Sequence, residues 1–301
     1  MTDFHDILCG NRAAQWLQSS LELCKIRLSL FVGFSSLASY LIYQPLDFWP
    51  GFLTAGAVFI LCCGCASLNN LQDRHWDLRF ERTKKRALPG QRISPLAAGS
   101  QSLILIASGL ILLDTIPVTH LPLILGILSI ILYNGLYTPL KSMSLLSLAP
   151  GVLCGVMPCL IGWTASGGGV FDVRIHCVVM IFGLWQLPHL GLLALSHARD
   201  YKNNDIPGFL RQVSETSLKR MIIFWTMNLS LMMVCLILQG IMISSLTRYI
   251  VLFQAVSLSA ICLMKISRGK ESSYRFLFIH LNTSLLLVMV LIVSERMVLF
   301  A

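Results

Sequence analysis

The sequence predicts an all-α polytopic membrane protein, and two observations lead to this fold class. The chain of 301 residues is 55% hydrophobic and only 12% charged, with a mean hydropathy of +0.74. Soluble domains are usually about 45–50% apolar and about 25% charged, so this chain has too few charges to cover a water-exposed surface. Its apolar runs are also continuous rather than alternating, which favours membrane-spanning helices over the strands of a barrel.

Nine apolar runs are long enough to cross the hydrocarbon core of a bilayer as a helix, which takes about 20 residues. They lie roughly at residues 24–43, 50–72, 95–113, 118–137, 145–166, 173–197, 219–240, 246–266 and 275–298. We therefore predict one transmembrane domain over residues 1–301, in which residues 1–23 form a short cytoplasmic segment.

Lys and Arg are distributed unevenly between the predicted loops. Twenty of the 23 fall on the side that holds the N-terminus and the loops after spans 2, 4, 6 and 8. Because cytoplasmic loops carry the excess of Lys and Arg, we predict a cytoplasmic N-terminus. The first residues lack the apolar core of a signal peptide, and Asp3, Asp6 and Glu22 are atypical of a mitochondrial transit peptide. These features favour a prokaryotic inner membrane, and we expect no nucleic-acid partner.

Span 2 ends in the polar segment NNLQDRHWD. Asn69, Asp73 and Asp77 are spaced by four residues and therefore share one face of a helix. Two like charges one turn apart destabilise a helix unless a cation lies between them. Mg²⁺ is typically held by one or two carboxylates together with phosphate oxygens and waters. The next loop supplies cations that can bind phosphate, namely Arg79, Arg82, Lys84, Lys85 and Arg86. The pattern predicts a site for Mg²⁺ and a diphosphate, with a solvated helix end as the alternative.

Span 4 ends in two tyrosines followed by a single cation. Tyr133 and Tyr137 share a helix face, which is typical either of an aromatic belt at the membrane interface or of a site wall. Lys141 is the only cation in the loop that follows, and its compact charge could reach a phosphate group.

Span 6 ends in a second polar segment, DYKNND, so Asp200 is again a carboxylate at the cytoplasmic end of an apolar helix. Two such ends facing each other could hold metal ions across one diphosphate, with Lys202 as a further cation. About three turns earlier, Pro188 is expected to kink the helix, and His189 places an imidazole inside the membrane. His189 is predicted either to pack through a hydrogen bond or to contact a porphyrin.

These segments resemble motifs of a known family. The segment NNLQDRHWD is similar to the NNxxDxxxD motif of the UbiA-type intramembrane prenyltransferases. ERTKKR and LWQLPH are similar to motifs of its heme O synthase branch, and the resemblance covers roughly residues 25–210. The sequence departs from the branch at Ala87 and at Gly208-Phe209, where the branch has prolines. Both departures lie in cytoplasmic loops and leave the metal ligands intact.

The resemblance implies nine helices around a central cavity, with a polar cap on the cytoplasmic side. It implies that a farnesyl group passes from farnesyl diphosphate to a vinyl group of heme B, giving heme O, with Mg²⁺ as cofactor. The implied metal ligands, of which the three aspartates are also the implied catalytic residues, are Asn69, Asp73, Asp77 and Asp200. The implied substrate contacts are Asn70, Arg82, Lys85, Arg86, Tyr137, Lys141, His189 and Lys202. By analogy, a heme A synthase or a heme-copper oxidase is a partner.

Two other functions stay open at this point. A prenyltransferase of the same family could use another acceptor, such as a quinone precursor or a chlorin. A membrane transporter could use the carboxylates as a cation pathway. A pathway needs ionisable groups near the bilayer midplane, whereas these carboxylates lie at helix ends, which favours the enzyme.

Overall fold

A computed structural model describes residues 14–79, 81, 83–116, 119–196, 213–267 and 271–300, and nine of its helices are long and apolar enough to cross a membrane. They are α1 (Ile26–Tyr43), α2 (Phe48–Asp77), α3 (Pro95–Thr115), α4 (Leu121–Leu140), α5 (Leu148–Ala165), α6 (Val173–Ser196), α7 (Glu215–Leu238), α8 (Ser245–Ile266) and α9 (Glu271–Phe300). The prediction of nine helical spans is confirmed. The polar cap stays a prediction, since residues 197–212 lie outside the described ranges.

Three of the helices begin at a serine that caps the first turn. The hydroxyl groups of Ser94, Ser214 and Ser244 each accept a hydrogen bond from the backbone N–H three residues further on. The first N–H groups of a helix have no acceptor within the helix, so such a cap contributes about 1 kcal/mol. These caps place the starts of α3, α7 and α8 at the residues where the polar loops end.

The nine helices close into a ring. Each helix packs against the next one in the chain, from α1 on α2 through to α8 on α9, and α9 returns to pack against α1. Further contacts cross the ring, because α1 also packs against α5, α6 packs against α9, and α2 packs against α4 and α5. The start of α1 and the ends of α2 and α4 therefore lie on one side of the bundle.

Glycines allow the closest helix contacts in the first half of the ring. A Cβ atom at Gly162 of α5 would lie 2.0 Å from the backbone oxygen of Ser36 in α1. A Cβ at Gly64 would lie 2.7 Å from the backbone nitrogen of Ile106, and one at Gly109 would lie 2.8 Å from Leu61. Small residues let helix backbones approach in this way within membranes. The α1–α5 and α2–α3 contacts therefore depend on these positions.

A small apolar cavity of about 10 Å³ lies between α1, α6, α7 and α9 and is bounded by Ile42, Phe182 and Met289, among others. A cavity of this volume holds no ligand larger than a water molecule. A substrate-sized central cavity stays a prediction.

We expect Gly162→Ala to lower the free energy of unfolding by about 1–3 kcal/mol, the usual cost of overpacking a tight contact. The added methyl group must push α5 away from the Ser36 backbone. Thermal unfolding in detergent measures the effect. Gly183→Ala is the matched control, because its Cβ would meet its nearest neighbour, Val152, at an ordinary 3.6 Å. Equal melting temperatures for the two variants would contradict the packing account.

Candidate functional site

The last turns of α2 carry a buried polar row. Asn69, Asp73 and Asp77 are all buried at the side of the bundle where α2 ends. The Asn69 Nδ2 atom donates to an oxygen of Asp73 at 3.0 Å and to the hydroxyl of Thr138 at 3.0 Å. Removing a carboxylate from water is costly unless a cation and hydrogen bonds compensate for the lost hydration. The predicted row is thus present, and it needs partners from elsewhere in the chain.

Those partners are cations from two loops. Lys141, which follows α4, forms an ion pair with Asp73. Arg86, in the loop after α2, donates from Nη1 to both carboxylate oxygens of Asp77 at 3.0 Å. The structure therefore brings together four of the residues predicted from the sequence, two carboxylates and two cations, with Asn69 beside them.

Lys25 is a third cation at this site, which the sequence analysis counted only toward topology. It lies directly before α1, and its Nζ donates to the Asn69 side-chain oxygen at 2.8 Å. Its backbone has φ 46° and ψ 51°, a left-handed conformation that residues other than glycine rarely adopt. Such strain is often found at functional sites. The helix topology could have pointed to Lys25. When the first two spans are antiparallel neighbours, the start of α1 must lie beside the end of α2.

The site carries more positive than negative charge. Burial, followed by the charges of Arg86 and Lys141, lowers the pKa of Lys25 to about 8. A lowered lysine pKa means that the surroundings disfavour a further positive charge. Arg86 pairs with Asp77 and Lys141 pairs with Asp73, whereas the Lys25 ammonium group contacts the Asn69 amide oxygen. An added anion would relieve this imbalance, as a diphosphate would.

The second half of α4 contains a π-helical segment beside the polar row, which sequence reasoning missed. It spans Ile131–Tyr137. The Asn134 side chain donates to the Cys65 carbonyl and to the Gln72 side chain, both at 3.1 Å. The Thr138 hydroxyl donates to the Tyr133 carbonyl at 2.8 Å while it accepts from Asn69. Single π turns are frequent at functional sites, and the Lys141 N–H donates to the carbonyl of Tyr137, the last residue of this one.

The two tyrosines of α4 form part of the same site. The rings of Tyr133 and Tyr137 are stacked with centroids 5.8 Å apart. The Lys141 Nζ lies 5.8 Å from the centre of the Tyr137 ring. Tyr137 therefore borders the cation that pairs with Asp73, as expected for a site wall.

Other predicted site residues are not seen at the carboxylates. The Asn70 amide nitrogen donates to the carbonyls of Leu23 and Ala66 at 3.0 Å, so it fixes the stretch before α1. The Lys85 side chain is exposed to solvent. Their substrate contacts stay predictions. Three further predicted residues lie outside the described part of the chain, namely Arg82, Asp200 and Lys202.

The departure at Ala87 has a physical explanation. The Ala87 N–H donates to a carboxylate oxygen of Glu22 at 3.0 Å, and the other oxygen pairs with Arg92. A proline at position 87 has no N–H to donate. Ala87 is also fully buried against Leu23 and Leu88. In this chain, Glu22 therefore ties the loop that carries Arg86 to the segment that carries Lys25.

His189 lies on α6 within the bundle and does make a hydrogen bond. Its Nδ1 atom is 3.0 Å from the side-chain oxygen of Asn282 on α9. The ring packs against Trp185 and Phe278, with centroids 4.5 Å and 4.7 Å away. Asn282 lies beyond the stretch covered by the motif resemblance, so sequence reasoning missed it.

The polar row suits a hard cation that is shared with a ligand. No cluster of three or more His, Cys, Asp or Glu side chains occurs in the described ranges that could hold a metal alone. Two carboxylates and an amide oxygen, in contrast, match how Mg²⁺ is held together with phosphate oxygens and waters. The arrangement can therefore hold Mg²⁺ together with a diphosphate.

Comparisons with known sequences agree with this arrangement. The model of the UbiA prenyltransferase family matches residues 29–282. A protoheme IX farnesyltransferase from Geobacter sulfurreducens is 35% identical over 192 residues, which are 64% of this chain and 70% of that protein. A protein of the same name from Oleidesulfovibrio alaskensis is 31% identical over 192 residues, 64% of this chain and 67% of that protein.

Comparisons with solved structures concern the fold. A UbiA homolog from Archaeoglobus fulgidus, bound to GPP and Mg²⁺, aligns with a TM-score of 0.67 at 11% identity, over 90% of this chain and 99% of that one. A digeranylgeranylglyceryl phosphate synthase structure aligns with a TM-score of 0.74 at 15% identity, over 94% and 99%. The helical ring is therefore the fold of these proteins.

We expect Lys25→Met to weaken the binding of inorganic pyrophosphate in the presence of Mg²⁺ by about tenfold or more, because a charge-assisted hydrogen bond is worth about 1.5–3 kcal/mol. Isothermal titration calorimetry of the protein in detergent measures the affinity. Arg27→Met is the matched control, because Arg27 lies two residues away and is exposed. Equal losses in both variants would mean that general surface charge, rather than this site, binds the anion.

Proposed function

Because the chain belongs to the UbiA prenyltransferase family, we propose that it transfers the farnesyl group of farnesyl diphosphate to a vinyl group of heme B and so forms heme O. It is an enzyme and a multi-pass membrane protein. The relatives that are 30–35% identical and bear the name protoheme IX farnesyltransferase support this acceptor. The observation that carries the proposal is the buried Asp73–Asp77 row, faced by Lys25, Arg86 and Lys141.

The polar row holds the metal in this proposal. Asn69, Asp73 and Asp77, with Asp200 from the end of the sixth span, are the ligands of Mg²⁺. When bound, Mg²⁺ neutralises the charge that develops on the leaving diphosphate. Two carboxylates one helical turn apart, with an amide one turn earlier, support this role.

The cations change partners when substrate binds. Lys141 and Arg86 now neutralise Asp73 and Asp77. Asp73 and Asp77 would hold the metal ion, which would supply positive charge, and Lys25, Arg86 and Lys141 would then be free to bind the diphosphate oxygens. Preorganised charges of this kind stabilise the departing diphosphate without reorganisation during the reaction. Further contacts to the diphosphate and the farnesyl chain come from Asn70, Arg82, Lys85, Tyr137 and Lys202.

The reaction follows from the departure of the diphosphate. The allylic C–O bond breaks and its electron pair leaves with the diphosphate. The vinyl π electrons form a C–C bond to the farnesyl carbon, and the cation next to the porphyrin ring takes hydroxide from water, which releases a proton. Apolar helices keep water from the farnesyl cation until the vinyl group attacks. His189, set among aromatic rings in the bundle, contacts the heme.

We place the active site on the cytoplasmic side of a prokaryotic inner membrane, with the N-terminus in the cytoplasm. The start of α1 and the ends of α2 and α4 carry the polar site, and 20 of the 23 Lys and Arg are assigned to that side. Heme O formed there would pass to a heme A synthase or a heme-copper oxidase.

We expect Asp73→Asn to lower the rate of heme O formation by at least about 100-fold, the usual effect of removing a group that stabilises developing charge. Membranes containing the protein are supplied with heme B, farnesyl diphosphate and Mg²⁺, and the extracted hemes are analysed by mass spectrometry. Asp172→Asn is the control, because that carboxylate pairs with Arg174 at the opposite end of the bundle. The Asp172→Asn variant should form heme O at the wild-type rate. Chelation of Mg²⁺ should stop the reaction of the wild-type protein.

Two results of this assay would contradict the proposal. Pyrophosphate release without heme O would point to another acceptor, such as a quinone precursor or a chlorin. A folded Asp73→Asn variant with full activity would remove the polar row from the mechanism.

A further inference from the structure

His189 is held by an ordered chain of hydrogen bonds. The Asn282 amide nitrogen donates to the backbone carbonyl of Phe278 in the preceding turn of α9. Its side-chain oxygen therefore faces the His189 Nδ1 atom, 3.0 Å away. An amide oxygen can only accept, so the proton of the neutral imidazole must lie on Nδ1. The lone pair of His189 is then on Nε2.

The free nitrogen of His189 is available to a ligand. Nε2 makes no hydrogen bond within the part of the chain that the structure describes, and His189 is only half-buried. His280, on α9, has a different environment, because its Nε2 atom is buried without a hydrogen-bond partner in the described part of the chain. The Nε2 atom of His189, in contrast, is absent from the buried atoms without a partner in the described part of the chain, and His189 is half-buried.

The surroundings of His189 are flat and apolar. The rings of Trp185 and Phe278 both contact the imidazole, with centroids 4.5 Å and 4.7 Å from it and tilted by 43° and 42°. Phe31 of α1 stacks on Trp185 at 5.9 Å. Aromatic faces on α1, α6 and α9 suit a large planar ring better than a flexible chain.

The depth of His189 matches a ligand that lies beneath the diphosphate. Phe31 is six residues from Lys25, which is about 9 Å along the helix at 1.5 Å per residue. Phe31 stacks on Trp185, which contacts His189 one turn further along α6, so His189 lies near the same level as Phe31. A ring at this level would have its edge near the farnesyl carbon of a donor whose diphosphate sits among Lys25, Arg86 and Lys141.

We propose that His189 Nε2 is an axial ligand of the heme iron in the acceptor, and that Asn282 is the positioning residue that fixes its tautomer and ring direction. This inference rests on the proposed function. Ligating histidines generally donate their other N–H to an oxygen atom in this way, which orients the ring and strengthens the ligand. The bond fixes the porphyrin at its centre, so that the position of the vinyl group relative to the donor carbon is set.

The test compares heme B with iron-free protoporphyrin IX, which has the same ring and vinyl groups. Both are titrated into the purified full-length protein in detergent and followed by absorption and fluorescence. We expect His189→Ala and the larger His189→Phe to weaken heme B binding at least tenfold while protoporphyrin IX binding is unchanged. Added imidazole should restore the histidine-type heme spectrum in His189→Ala. His176→Ala, at the exposed start of α6, is the control and should bind both as the wild type does.

Asn282 variants separate positioning from packing. Asn282→Leu should weaken heme B binding by about 10- to 100-fold, the usual effect of losing the partner of a metal-bound histidine. It should also lower the iron–histidine stretching frequency of the ferrous complex in resonance Raman spectra. Asn282→Asp keeps an acceptor oxygen and should raise that frequency.

The outcomes distinguish this inference from the proposed function. An iron–histidine band that persists in His189→Phe would overturn it. So would an equal loss of heme B and protoporphyrin IX binding, which would make His189 a packing contact. If the wild-type protein forms heme O but shows no histidine-ligated heme, only the assignment of His189 as an iron ligand would be overturned. If the wild-type protein binds farnesyl diphosphate but neither heme B nor protoporphyrin IX, the proposal that heme B is the acceptor would be overturned as well.

Discussion

The burial of two carboxylates at the end of an apolar helix is the constraint on which the site depends. Asp73 and Asp77 lie out of water, one helical turn apart, and each would be costly without a cation. Asn69 of α2 donates one hydrogen bond to Asp73, but the cations that pair with the two carboxylates come from outside α2. Lys141 comes from the loop after α4 and Arg86 from the loop after α2, while Lys25, just before α1, reaches the row through Asn69. The start of α1 and the loops after α2 and α4 must therefore meet at one place, and the ring of helices brings them there.

The same charges connect this constraint with catalysis. A site that only had to be stable would balance its charges, whereas here three cations lie around two carboxylates. Burial, together with the charges of Arg86 and Lys141, lowers the pKa of Lys25 to about 8. The imbalance favours an added anion. In the proposed function, a metal ion held by the carboxylates would leave Arg86 and Lys141 free for phosphate oxygens, so metal and diphosphate would favour each other's binding. Glu22 ties Ala87 and Arg92 to the segment before α1, so it holds the loop that carries Arg86 beside Lys25.

The sequence predicted what depends on local pattern. Hydropathy located the nine spans, and the four-residue spacing of Asn69, Asp73 and Asp77 placed them on one face, because both follow from helix geometry. The role of Lys25 was missed because it depends on which helices are neighbours. The π-helical turn of α4 and the Asn282 contact with His189 were missed for the same reason. Each is set by packing between residues far apart in the chain. Asp200 and Lys202 stay predictions.

We propose that Asp73 and Asp77 hold a metal ion that also binds the diphosphate of the substrate. Electron–nuclear double resonance tests it directly, with Mn²⁺ in place of Mg²⁺ and farnesyl thiodiphosphate as an unreactive donor. We expect a ³¹P coupling from phosphorus that is bound to Mn²⁺ through oxygen. This coupling should be lost in an Asp73→Asn, Asp77→Asn double variant. Bound Mn²⁺ without ³¹P coupling, or a coupling that the double variant leaves unchanged, would contradict it.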